Sequence, residues 1–384
     1  MPPEYGSASE RGTLINVLHQ ETILHGGVGE NGPLYTRLLA ANPRGPNAGA
    51  LLLTAEVYRD LEDGRPAFPI YRSLDGGRSW ACIAQLRDDQ LQHGHRHQPV
   101  IYELWEPFAG LPAGALLLAG NAIPRDMSST QLVLYSSEDG GWSWTYRSSI
   151  DAGGPAVYDP SPQSTTTAVW EPELLLLDGR LVCFFADERQ KHAGMLQAIS
   201  MRSSTDLTTW TERVVVKGVA DRQTRPGMFV STGRMPDGWY RAVVEVVGPP
   251  EVPIHWLTSP DGLDWGAADD LGQRLTSAAG VSLVGTPNVH WRTEPSGSVT
   301  VLATGRMAID REGVPVNAAL LNRDGGRGPW IDLTLPTAAE RSMTDDSSGY
   351  SQSVVWNDRG ELVHATTVRN HHGSHDIVVT VAAH

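Results

Sequence analysis

Residues 73–80 read S-L-D-G-G-R-S-W and residues 137–144 read S-E-D-G-G-W-S-W. Asp-Gly-Gly between β-rich runs marks a hairpin turn, because glycine supplies the φ > 0 conformations such turns need. Ser and Asp can bond neighbouring backbone N–H groups, and the closing Trp can pack over the turn. Looser copies follow: S-T-D-L-T-T-W at 204–210, S-P-D-G-L-D-W at 259–265 and N-R-D-G-G-R-G-P-W at 322–330. The five copies start at 73, 137, 204, 259 and 322. A recurrence of that kind predicts an array of equivalent supersecondary units.

A second ladder interleaves with the first. A turn glycine between two apolar runs recurs at Gly49, Gly114, Gly179, Gly238, Gly297 and Gly360, and each copy reads as a β-hairpin. Two hairpins per period make four antiparallel strands, the content of a propeller blade, repeated six times. The strand-like ends, 13–24 and 376–381, supply the outer two strands of one shared blade and so close the ring. The expected fold is all-β: a single six-bladed β-propeller domain spanning 1–384.

Composition narrows the function classes. The chain has 384 residues, a net charge of −14 and 19% charged residues. An acidic chain without a basic stripe is not built for nucleic acid or an anionic membrane surface. No run of 18 apolar residues offers a membrane span. Cys82 and Cys183 form no framework or metal motif, and their strand-like contexts predict buried free thiols. The first residues, MPPEYGSASERG, contain no apolar leader core. The expectation is a monomer, cytoplasmic if Met1 is the native start and secreted if a leader is missing.

If the four strands of a unit alternate in direction, both turn ladders share one face. Function then belongs to the other face, where each first strand begins and each second strand ends. That map gathers Arg37; His97, Gln98 and Asn121; Trp170, Glu171, Asp187 and Arg189; Arg225 and Glu245; Asn288 and Trp291; and Tyr350. Glu171, in V-W-E-P-E, and Glu245, within A-V-V-E-V-V, stand out. Two carboxyls converging from adjacent units are the equipment of glycoside cleavage, one as acid/base and one as nucleophile. The competing reading makes Glu171 merely exposed and pairs Glu245 with Arg225. The clusters H-G-H-R-H (93–97) and H-H-G-S-H (371–375) lack the acidic spacing of a metal motif, so no metal or cofactor is expected.

Several stretches together resemble glycoside hydrolase family 93, the exo-α-1,5-L-arabinanases of the Asp-box, sialidase-like superfamily. They are RHQPVIYEL (96–104), LPAGALLLAGNAIP (111–124), VWEPEL (169–174), FFADER (184–189), TRPGM (224–228) with the following PDGWYRAVVEV, and GYSQS (349–353). The resemblance implies a retaining, metal-free exo-enzyme that cleaves α-L-arabinofuranosyl linkages of arabinan-type oligosaccharides and releases a disaccharide. It carries the two catalytic glutamates onto Glu171 and Glu245, and places Tyr350 beside the nucleophile. Glu171 is assigned as acid/base and Glu245 as nucleophile, with the reverse order left open. The chain departs from the family pattern at A-D-E-R-Q (186–190) and at H-G-H-R-H. The substrate-binding set expected at the mouth is Arg37, His97, Gln98, Asn121, Trp170, Asp187, Arg189, Arg225, Asn288 and Trp291.

Two rivals come from other classes. An exo-α-sialidase would use Tyr350 with Glu245 and clamp a substrate carboxylate with arginines, for which Arg37, Arg225 and Arg306 are available. A sugar-binding propeller without turnover would need neither glutamate.

Overall fold

The computed structural model describes residues 15–30, 32–61, 64–338 and 348–383. It forms six four-stranded antiparallel sheets and one small three-stranded sheet. The first strands of the six sheets are Leu34–Ala40, Gly94–Glu103, Val169–Leu177, Arg225–Arg234, Asn288–Thr293 and Ser353–Trp356. Each touches the next in sequence, and the last touches the first. Within a sheet, order in space follows order in sequence, except in the sixth. There Asn16–Leu24 pairs antiparallel with His375–Ala383 and supplies the outermost strand. The arrangement is propeller-like, with Asn16–Leu24 and His375–Ala383 in one sheet.

The apolar runs follow from this stacking. Second strands such as Leu51–Glu56 and Leu116–Ile123 lie between neighbouring sheets and are buried on both faces, so they read as continuous rather than alternating apolar sequence. The fourth strand Ala81–Leu86 borders solvent and is mostly exposed or half-buried. The core is therefore divided into layers. In one, Leu52, Phe68 and Ile70 meet Ile101, Leu116 and Val133; in another, Leu51 and Leu53 meet Val363, Val379 and Val381.

The repeated octapeptides are self-contained turns. Ser73 Oγ donates to Asp75 Oδ1 at 2.9 Å and accepts from the Gly77 N–H at 2.9 Å. Asp75 Oδ1 also accepts from the N–H groups of Arg78 and Ser79, at 3.0 and 2.9 Å. Trp80 Nε1 closes the turn on Gly77 O at 3.0 Å. The 137–144 copy repeats these bonds. In the degenerate copy Asn322 Oδ1 replaces the serine and accepts from Asp324 and Gly326 N–H at 2.9 and 2.8 Å. In the shortened 204–210 copy Trp210 instead donates to Ser148 Oγ, 2.9 Å away.

The two turn ladders interlock. Asn357, in the hairpin around Gly360, donates to Gly76 O of an octapeptide turn at 3.0 Å. A Cβ on Gly140 would stand 3.2 Å from Asn47 Oδ1, and one on Gly262 would stand 3.0 Å from Leu177, both in the hairpin of the preceding sheet. Both ladders thus lie at the same end of the strands.

At the opposite end one backbone feature recurs in all six sheets. Tyr35, Gln98, Glu171, Met228, Thr286 and Ser351 have φ of 51°, 52°, 61°, 48°, 36° and 53°, the left-handed region that non-glycine residues seldom occupy. In four sheets the ladder also shifts register there, as in a β-bulge that re-aims a side chain.

Two sequence expectations are corrected. Cys82 is exposed on its outer strand, where one face meets solvent, and only Cys183 is buried. The three-stranded sheet, Ser282–Val284, Met307–Ile309 and Pro315–Val316, was not anticipated. Its strands are too short to show a period of their own.

Candidate active site

The left-handed residues donate their N–H groups to the preceding sheet, and at three of the six a carboxylate accepts. Met228 N–H donates to Glu171 Oε2 at 2.6 Å, Thr286 N–H to Glu245 Oε2 at 2.7 Å, and Gln98 N–H to Glu56 Oε1 at 2.7 Å. Glu171 N–H in turn donates to Gln98 Oε1 at 3.3 Å. Each acid is therefore fixed by the backbone of the next sheet. The Gly227 of R-P-G-M has a local reason: a Cβ there would stand 2.6 Å from Gln197 Nε2 and 2.9 Å from Glu171 Oε2.

Glu171 and Glu245 are each 8% exposed. Burial, and then the facing charge of Glu245, push the Glu171 carboxyl up to about 8, against the opposing Met228 N–H and Arg225. Burial raises Glu245 as well, while the Thr286 N–H, Arg306 and Arg225 favour its ionised form. Burial and the neighbouring charge of Glu245 thus favour a proton on Glu171. Burial, with the carboxylates of Glu56, Glu245 and Glu171, raises the Tyr350 phenol well above its ordinary range. Tyr350 is thus a neutral hydrogen-bond donor.

Arg225 does not pair with Glu245, contrary to the competing sequence reading. Its guanidinium donates to Glu188 Oε1 at 2.6 Å and to Gln197 Oε1 at 3.0 Å, and acts on both glutamates through space. Tyr158, 63% exposed, lies over it with the ring centroid 5.2 Å from the guanidinium carbon.

The other sequence candidates divide. Partly exposed His97 stands edge-on to buried Trp170 with ring centroids 5.8 Å apart, and Trp170 Nε1 donates to Glu188 at 3.2 Å. Asn121 is fully buried, donating to Val169 O at 2.7 Å and accepting from Gln131 N–H at 2.9 Å; it joins strands rather than facing the mouth. Asp187 caps the 3₁₀ helix Glu188–Ala193 and, with Arg189 and Asp151, forms an ion network away from the glutamate pair. Arg37 donates to Glu173 Oε2 at 2.7 Å, two residues deeper than Glu171. Arg37, Glu173, Asn288 and Trp291 all line a cavity of about 630 Å³ running toward the turn-ladder end, and Trp291 Nε1 donates to Thr232 O at 2.8 Å. Trp291 lies five residues past the left-handed Thr286 and so below the mouth. Of the arginines available for a carboxylate clamp, Arg37 is paired with Glu173 and Arg225 with Glu188.

The histidine clusters also divide. His95 is fully buried, stacked on Phe68 at 4.7 Å, with Nδ1 2.9 Å from Leu86 O, and burial lowers its basicity to about 4. His371 and His372 contact each other at the surface. Among the described residues no group of three or more His, Cys, Asp or Glu side chains is arranged to hold a metal.

Sequence reasoning placed Glu56 and Glu188 at strand ends of the mouth without giving them a role, and missed Tyr58 and Tyr158. A signal for Glu56 was present: it ends L-L-L-T-A-E as Glu245 nears the end of Y-R-A-V-V-E-V-V, a carboxylate closing an otherwise apolar second strand. The other three lie on loops or the 3₁₀ helix, outside any repeat.

Two buried carboxyls, Glu171 and Glu245, coupled through their charges at the end of a propeller-like all-β fold are the equipment of a glycoside hydrolase. No family model and no curated protein sequence matches the chain. Among solved structures it is 30% identical to the α-L-arabinanase of Penicillium chrysogenum complexed with arabinobiose, with a TM-score of 0.81 over 95% of this chain and 98% of that one. It is 25% identical to the α-L-arabinofuranosidase of Fusarium graminearum, again with a TM-score of 0.81 and coverage of 95% and 98%. The chain belongs to glycoside hydrolase family 93. Likeness to the NanB sialidase of Streptococcus pneumoniae, at 11% identity, a TM-score of 0.54 and coverage of 94% and 70%, extends to the fold alone.

Proposed function

We propose that the protein is a configuration-retaining, exo-acting α-L-arabinanase that removes a disaccharide from arabinan-type oligosaccharides. We read its architecture as one six-bladed Asp-box propeller domain, acting as a monomer. The observation that carries the reading is the buried pair Glu171 and Glu245, each bound by one backbone N–H of the next sheet; burial and the charge of Glu245 push Glu171 up, while Arg306 and Arg225 oppose the rise of Glu245. Glu171 then protonates the departing glycosidic oxygen as Glu245 attacks the anomeric carbon from the opposite side. The resulting β-linked ester on Glu245 is hydrolysed by a water that Glu171, now ionised, deprotonates. Tyr350 donates to the site as a neutral phenol, and His97 and Trp170 form the rim that receives the sugar.

Product analysis on linear arabinofuranosyl oligosaccharides labelled at one end tests this reading. Release of disaccharide from one end, with the α configuration in the first-formed product, supports it. Inverted product, random internal cleavage or release of sialic acid from a sialoside would sink it. Azide with Glu171→Ala sharpens the assignment. Azide displaces the Glu245 carboxylate from the β-ester and gives an α-glycosyl azide; a β-azide would remove Glu245 as nucleophile.

A further inference from the structure

Gln98, whose side chain accepts from the Glu171 N–H, also binds a further buried carboxylate that is used by no step above. Glu56, 1% exposed, is gripped at Oε1 by the Gln98 N–H at 2.7 Å, as Thr286 grips Glu245. Its other oxygen, Oε2, accepts the Tyr58 hydroxyl proton at 2.5 Å. Tyr58 is positioned from behind: a Cβ on Gly32 would stand 2.7 Å from its ring. With its own proton committed to Glu56, the Tyr58 oxygen can only accept, and His97 Nδ1 lies 3.3 Å from it. That arrangement selects the tautomer in which Nδ1 carries the hydrogen and Nε2 carries a lone pair.

We propose that Glu56, Tyr58 and His97 form a hydroxyl-reading subsite in which His97 Nε2 accepts a hydrogen bond from one hydroxyl of the substrate sugar. The His97 side chain is 21% exposed, its ring stands edge-on to Trp170, and Nε2 meets no protein group among the described residues. The chain of donors runs from the sugar hydroxyl to His97, from His97 to Tyr58 and from Tyr58 to Glu56. It ends on a carboxylate that cannot turn, because the backbone of Gln98 holds it. An acceptor so oriented inside a partly desolvated mouth rejects a sugar lacking that hydroxyl, since Nε2 would then be covered without a partner. His97 is the contact residue; Tyr58 and Glu56 are positioning residues that act through it.

The inference rests on the arabinanase reading, and the test separates the two. The substrates are an arabinofuranosyl trisaccharide and the set of its singly deoxygenated analogues, with kcat and KM measured for each. The wild type should lose about 10- to 100-fold in kcat/KM on one analogue beyond the others. His97→Phe, shown to be folded by an unchanged Tm, should lose a similar factor on the parent and treat that analogue and the parent alike. Tyr58→Phe should weaken the discrimination, and His97→Gln, whose amide oxygen can accept, should restore part of it. A His97→Phe variant with wild-type discrimination across the series, or with equal losses on every member, overturns the subsite. A wild type inactive on every arabinofuranoside overturns the functional reading itself.

Discussion

Acidic side chains at the two ends of this molecule meet opposite fates. At the turn end, partial burial works against ionisation of Asp75 and Asp139, but hydroxyl and N–H donors from within the same turn outweigh it and hold each carboxyl at about 2. At the mouth, burial and the facing Glu245 push Glu171 up to about 8 although one N–H is bound to it. The difference lies in how many donors surround the charge and what stands opposite. A turn carboxylate with several donors and open solvent stays charged and locks a hairpin. A mouth carboxyl with a single donor and a second carboxyl across from it retains its proton, which is what an acid catalyst requires.

Substitutions at the mouth should abolish function, and those at the turns should spare it. The largest effect is expected for Glu245→Gln, whose loss of kcat should exceed the roughly 10²–10⁴-fold attributable to general acid–base catalysis. Glu171→Gln should fall within that range on oligosaccharides and suffer much less on an aryl glycoside with a good leaving group; equal losses on both would argue against its acid role. Gly227→Ala comes next. Displacing the Glu171 carboxylate by its new methyl should cost about 100-fold in kcat/KM with only a modest fall in Tm.

At the turn end, Trp80→Ala or Trp144→Ala should cost about 1–3 kcal/mol in denaturant unfolding while kcat/KM of the folded fraction stays at the wild-type level. A turn variant that folds normally yet loses turnover would break the comparison. The smallest effect is a pH dependence of stability. The folded chain binds the Glu171 proton more tightly than the unfolded chain, so this contribution is full below about 4.5 and is lost as pH rises through about 8. Glu171→Gln should therefore match the wild type in Tm at acid pH and exceed it by a few degrees above about 8. Asp75 has the opposite sign: its contribution is present above the ordinary aspartate range and is lost as pH falls through about 2.

The same contrast explains what the sequence could show. The bonds of an octapeptide turn join residues two to four apart, so the motif and its mechanism sit in one window. The bonds that place the acids join residues 57, 41 and 42 apart, and no local window contains both partners. Glu171 and Glu245 were legible because the ladders fixed which strand ends converge. Asp187 and Arg189 sit at an equivalent strand end, but the 3₁₀ helix that follows turns them into its cap and swings Glu188 toward Arg225 instead. Arg37, Asn288 and Trp291 fell below the mouth because the left-handed residue of each sheet, Tyr35 or Thr286, stands above them and marks the depth at which side chains face the mouth.

The protonation of Glu171 beside Glu245 can be measured directly. Titration of ¹³C-labelled glutamate carboxyls by NMR, assigned with Glu171→Gln and Glu245→Gln, follows each group separately. The account predicts that Glu171 titrates at about 8 in the wild type and at a lower pH once Glu245 is made neutral, with kcat/KM falling over the same range as the wild-type group ionises. Titration of Glu171 in the ordinary carboxylate range, or a midpoint unmoved by Glu245→Gln, would contradict it.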